Sequence, residues 1–144
     1  MLKKFGLTTC VLASLSFAGC ATMDNPSTVK NLGKLQNTQW TLTEMNGVKI
    51  ATDKTSTVPT IQFDEQRVSG SDGCNRFTGG YVVKAQNIEL SKMASTMMAC
   101  LSASDLPQKF GESLGQVKHY DASKSELKLM DGNKKTILKF AAAE

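Results

Sequence analysis

From Gln39 onward, turn residues recur so often that only one segment has room for a helix. "QWTLTEM" runs into Asn46-Gly47, two residues that both tolerate positive φ and so favour a tight hairpin turn. Strict alternation in that stretch sets Trp40, Leu42 and Glu44 on one face against Thr41, Thr43 and Met45 on the other. "PTIQFD" opens on Pro59, where a strand entrance loses least from a missing N–H, and puts Ile61 and Phe63 on one face. "RVSGSDG" pairs back across residues 64–66. "GYVVK", "NIEL" and "SKMASTMMA" follow, each bounded by Gly, Asn or Ser. "VKHYDAS", "ELKLM" and "TILKF" finish the pattern, with Leu127, Leu129, Leu138 and Phe140 inward and a turn at Asp131-Gly132-Asn133. Short strands with such frequent turns predict a mainly β (α+β) fold, a small curled antiparallel sheet or β-barrel.

The exception is "SASDLPQKFGESLGQV", where Leu106, Phe110, Leu114 and Val117 recur at helical spacing. Ser104 suits the N-cap and Pro107 lies early enough to be tolerated, which predicts one helix over about 104–117. Gly111 and Gly115 weaken it by up to about 1 kcal/mol each. Its Leu/Phe stripe must therefore pack on the sheet, as a lid or plug.

The first residues are different in kind. "MLKKFGLTTCVLASLSFAGC" has two lysines, an apolar run too short to span a bilayer comfortably, and small residues before Cys20. Residues 1–19 read as a signal peptide. Phe17-Ala18-Gly19-Cys20 resembles the bacterial lipobox, with Phe17 where leucine is preferred, which makes Cys20 the lipid attachment site. Acyl chains on Cys20 would anchor the protein to a membrane. Ala21 follows, not the aspartate that retains lipoproteins in the inner membrane, so the resemblance implies the outer membrane, facing the periplasm. Removing the signal lowers Lys plus Arg from 17 to 15 against 13 Asp plus Glu, a net charge of +2. That excess is too weak to argue for nucleic acid, and no basic patch interleaves with aromatics. Residues 20–35 are polar and read as a flexible tether, leaving one monomeric domain over 36–141.

The stretch "SGSDGCNRFTGGY", residues 69–81, raises the question of chemistry. If Cys20 carries lipid, Cys74 and Cys100 remain, in an oxidising compartment. At 26 residues apart they form neither a C-x-x-C redox motif nor a zinc knuckle. They form a disulfide, or pack as two reduced buried thiols, or Cys74 serves as a catalytic or metal-binding thiol. Metal sites need several convergent ligands, and there is a single histidine, His119, in "VKHYD"; no cofactor is expected. Met93, Met97 and Met98 either form an adaptable binding surface or, more economically, fill the core alternately.

Together these residues make a recognisable order: Trp40-x-Leu42-x-x-Met45-Asn46-Gly47, Pro59-x-Ile61-x-Phe63, and Val68-x-Gly70. Gly73-Cys74-Asn75-x-Phe77-x-Gly79-x-Tyr81 and Ala94-Ser95-Thr96-x-Met98-Ala99-Cys100 follow, and these two cysteine motifs are the most specific. The pattern resembles the META domain family, which includes heat-inducible bacterial lipoproteins. Under that resemblance Trp40, Asn46, Gly47, Gly73, Asn75, Phe77, Tyr81, Thr96 and Met98 are structural motif positions. It implies a small β-barrel-like domain with a packed helix, and an association with heat shock, envelope stress and drug tolerance. It carries over no catalytic residue.

Three functions follow as expectations. The first is a non-enzymatic envelope lipoprotein binding another envelope protein. The second is a carrier holding a small apolar ligand inside the barrel, and the third a thiol redox sensor at Cys74 and Cys100.

Overall fold

The computed structural model describes residues 26–51, 57–100 and 104–143. In chain order these form α1 (Pro26–Leu35), β1 (Gln39–Met45), β2 (Val48–Lys49), β3 (Thr60–Phe63), β4 (Arg67–Ser71), β5 (Arg76–Lys84) and β6 (Asn87–Ser95). They continue with α2 (Leu106–Gly115), β7 (His119–Ala122), β8 (Glu126–Met130) and β9 (Thr136–Ala142). The strands make one curled antiparallel sheet in the order β2-β1-β3-β4-β5-β6-β7-β8-β9. The order returns on itself because β1 also pairs with β9, Leu42 against Phe140 and Met45 against Leu138.

Turn chemistry shapes the hairpins. Asn46 and Gly47 take φ of 50° and 83° between β1 and β2. The Asp131 carboxylate accepts the N–H groups of Asn133 and Lys135, both at 2.9 Å, between β8 and β9. Two strands run longer than the turn residues suggest, since β5 and β6 have nine residues each. Gly79 and Gly80 lie within β5, where the register against β6 shifts. A side chain at Gly79 would strike Met93 and the Ser91 carbonyl, so glycine permits the close approach of the two strands. The alternation expected along β1 also fails at its end. A register shift against β9 between Leu42 and Glu44 turns Met45 inward and leaves Glu44 outside, 3.5 Å from Lys139.

The interior is filled by its own side chains, with Trp40, Phe63, Phe110, Tyr120 and Phe140 fully buried. The two helices close its opposite ends. On β5, Tyr81 meets Gln36 just past α1, and Phe77 meets Phe110 of α2. On β1, Trp40 bonds to Leu35 of α1, and the Asn46 amide beyond its far end lies 3.4 Å from the Ser113 hydroxyl of α2. The helix α2 occupies Leu106–Gly115, shorter at both ends than 104–117. Ser104 stands outside it, its hydroxyl accepting the Leu106 N–H at 3.1 Å, while Asp105 takes the N-cap position. Phe110 packs between Phe77 and Phe140, making α2 a plug.

The tether expected over 20–35 is corrected by α1, which occupies Pro26–Leu35; residues 20–25 lie outside the described residues. Leu32 and Leu35 pack against the core, and the Trp40 indole N–H donates to the Leu35 carbonyl at 3.0 Å. That carbonyl belongs to the last turn, where no intrahelical donor is available. Asn37, at φ 58°, turns the chain out of the helix.

Two tyrosines in this core make contrasting predictions. The Tyr81 hydroxyl accepts from the Gln36 amide at 2.6 Å and donates to the Asp64 carbonyl, whereas the buried Tyr120 hydroxyl has no partner among the described residues. Tyr81→Phe should cost about 1–2 kcal/mol at pH 7, and Tyr120→Phe should be neutral or stabilising. Burial pushes both phenols above their ordinary value; the Gln36 amide opposes it at Tyr81, and Tyr81 adds to it at Tyr120. The folded state therefore keeps protons that the unfolded chain releases from about pH 10. The associated stability is full below that pH and falls as pH rises through the folded values. Urea midpoints at pH 7 and in the alkaline range check this. Equal losses for the two variants at pH 7 would refute it.

Candidate functional site

The stretch over 69–81 becomes the end of β4, a turn and the start of β5, running from Phe77 at the α2 end of the interior to Tyr81 at the α1 end. Asp72 builds the turn. Its Oδ1 accepts the N–H groups of Cys74 at 2.8 Å and Asn75 at 2.6 Å, and its own N–H donates to the Asn75 carbonyl at 3.0 Å. Gly73 takes φ 97°, and a Cβ there would lie 2.6 Å from the Thr57 carbonyl. The Thr57 hydroxyl donates to the Gly73 carbonyl, which fixes the turn from the other side. The Asp72 side chain bonding to its own backbone gives the loop this shape, and Thr57 secures it.

The second cysteine motif docks on the first. Asn75 Oδ1 accepts the Met98 N–H at 2.7 Å and lies 3.4 Å from the Thr96 hydroxyl. Thr96 Oγ1 accepts the Arg76 N–H at 3.0 Å, and the Thr96 N–H donates to the Arg76 carbonyl at 2.9 Å. A disulfide joins Cys74 to Cys100, with Cα atoms 5.7 Å apart. Gly73, Cys74, Asn75, Thr96, Met98 and Cys100 thus gather into one clamp that holds the connection leading from β6 toward α2. Asn75, a structural motif position in the sequence, is the bridge between the two motifs.

The other motif residues lie elsewhere. Trp40 and Tyr81 serve the α1 end, Asn46 and Gly47 form the β1–β2 turn, and Phe77 sits in the core under Phe110. Cys20 lies outside the described residues. Asp72 was missed by sequence reasoning, although the Asp-Gly pair beside a cysteine was its signal. Among the described residues no three His, Cys, Asp or Glu side chains converge as metal ligands. His119 lies half-buried on β7, opposite Asn87 of β6 and Met130 of β8.

The methionines correct the core-filling reading. Met97 is 99% exposed, Met98 62% and Met93 42%, because neither β6 beyond Ser91 nor the segment that follows it carries a buried face. They form an apolar rim beside the clamp. A cavity of about 260 Å³ adjoins this rim, between α2 and β6, and not within the filled interior where a carried ligand was expected.

Comparisons with known proteins agree with this architecture. The heat shock protein HslJ of Escherichia coli (strain K12) is 26% identical over 133 residues, which covers 91% of this chain and 92% of HslJ. An NMR structure 28% identical in sequence superposes with a TM-score of 0.59, covering 76% of this chain and 92% of its own. An NMR structure of a protein from Burkholderia xenovorans, 19% identical, covers 99% of both chains at a TM-score of 0.63 and shares the fold. The model of the META domain matches residues 33–144, which takes in the clamp, α2, every strand and the last three residues of α1. The chain belongs to the META domain family.

Proposed function

We propose that this protein is a non-enzymatic envelope lipoprotein whose META domain binds another envelope protein during heat or envelope stress, contributing to drug tolerance. The observation that carries the reading is the rim of Met93, Met97 and Met98, left in solvent on a backbone held by a disulfide and the Asn75 bridge. Exposed methionines present flexible, polarizable apolar surface that adapts to a partner. A rigid base under them lowers the ordering cost of binding. The heat-shock name of HslJ supports the stress context. Anchoring through Cys20 in the outer membrane, facing the periplasm, supplies the compartment.

A photo-crosslinking residue placed at Met97 in heat-stressed cells should yield one discrete adduct. The same residue at Lys134, on the β8–β9 turn, should yield none. Met97→Lys with Met98→Lys should leave stability within about 0.5 kcal/mol, since both side chains are exposed, and abolish partner capture. Identical crosslinking from both positions would overturn the binding assignment. Cys20→Ala should release the protein from membranes, and retention there would refute the anchor.

A further inference from the structure

The seam between α2 and β6 breaks local rules in a consistent way. Gly111 and Gly115 stand four residues apart and therefore on one face of α2. Glycine is, apart from proline, the least favourable residue in a helix interior, where Gly111 lies, while Gly115 is the last residue of α2. Neither glycine has positive φ, and a Cβ at either would meet nothing within 4 Å. The fold itself thus requires glycine at neither position. Both line the 260 Å³ cavity, so their effect is to keep it open. At Gly111 this breaks a local rule with no gain in packing, as proteins do at functional sites.

The cavity follows a gap in the sheet. β6 joins β7 through a single pair, Asn87 with His119, supported by the Ile88 N–H donating to the Lys118 carbonyl at 2.9 Å. From Glu89 to Ser95, β6 has no strand on that side among the described residues. The cavity fills this interval, walled by Phe77, Leu90, Met93, Phe110, Leu114 and Val117. From Leu90 to Ser95 the wall strand extends roughly 15 Å along the cavity. An apolar cavity of about 150 Å³ already takes a benzene-sized guest, so this one suits something longer.

Its two ends differ in charge. Lys118 lies at the Ile88 end. Asp72 lies at the Ser95 end, its carboxylate held by the N–H groups of Cys74 and Asn75. An anionic group is attracted to the first and repelled from the second.

We propose that this seam binds a single-chain amphiphile with an anionic head, a fatty-acid anion by class. Its acyl chain lies over Gly111 and Gly115, and its head sits at Lys118. The site goes beyond the partner-binding reading and needs neither Met97 nor Met98.

Titrating decanoate into the protein, followed by the amide resonances of Gly111, Gly115 and Leu90, tests the proposal, with decanol and decylammonium as neutral and cationic comparisons. Decanoate should give saturable shifts confined to the seam and bind at least fivefold more tightly than decanol. Gly111→Leu with Gly115→Leu should fill the cavity, keep or raise the melting temperature, and weaken decanoate at least tenfold. Lys118→Glu, at an exposed position, should weaken decanoate at least fivefold and favour decylammonium. Absence of saturable shifts, or unchanged affinity in the glycine variant, overturns the site. Equal binding of decanoate and decanol, insensitive to Lys118→Glu, overturns the anionic head.

Discussion

Trp40→Ala is expected to destabilise the domain by about 4–5 kcal/mol, enough to leave a marginally stable protein largely unfolded at growth temperature. Trp40 is fully buried, so truncation removes the largest side chain of the core and leaves a cavity. It also removes the indole donor from the Leu35 carbonyl at the end of α1. That second loss separates the prediction from an ordinary core deletion. Trp40→Phe keeps most of the apolar volume and loses the bond, so it should cost roughly half as much while loosening α1 selectively. Urea denaturation gives the global effect, and amide exchange in Gly33–Leu35 reports the local one. Protection there equal to wild type in Trp40→Phe would show that the indole does not hold the helix.

Reduction of the Cys74–Cys100 disulfide is expected to lower stability by about 3.5 kcal/mol, the loop-closure entropy of a cross-link spanning 26 residues. Cys74→Ser with Cys100→Ser should show the same loss without reductant. The domain should nevertheless remain folded, because Asn75 still accepts the Met98 N–H and Thr96 still pairs with Arg76. Adding Asn75→Ala to the reduced protein should then release the connection to α2 and lower stability further by about 1 kcal/mol. Melting curves that coincide with and without reductant would sink the prediction.

Features set by neighbouring residues were legible in the sequence. Asn46-Gly47 and Asp131-Gly132-Asn133 encode their turns through their own backbone preferences. The spacing of Leu106, Phe110 and Leu114 located α2 because its buried stripe is helical in period. Features decided by distant contacts were not. α1 depends on packing Leu32 and Leu35 and on an indole five residues beyond its end, so its own polar sequence gave no such signal. The bulge that exchanges Glu44 for Met45 lies in the register between β1 and β9, strands from opposite ends of the domain sequence. Within the site, the two cysteine motifs stood out as motifs, but the bridge from Asn75 to Met98 exists only once β5 and β6 align. The exposure of Met97 likewise follows from where the chain runs after β6, outside the interior.

If Cys20 carries the proposed lipid, α1 also sets how far the domain can stand from the membrane. Were residues 20–35 all unstructured, an extended chain would let the domain roam roughly 55 Å from a lipid on Cys20. Ten of those sixteen residues are folded into α1, whose end is fastened to the sheet by Leu35 and Trp40. Between Cys20 and Pro26 an extended chain spans at most roughly 20 Å. Under the proposed anchor at Cys20, so short a leash would hold the domain at the membrane face, within reach of the proposed partners and amphiphiles there.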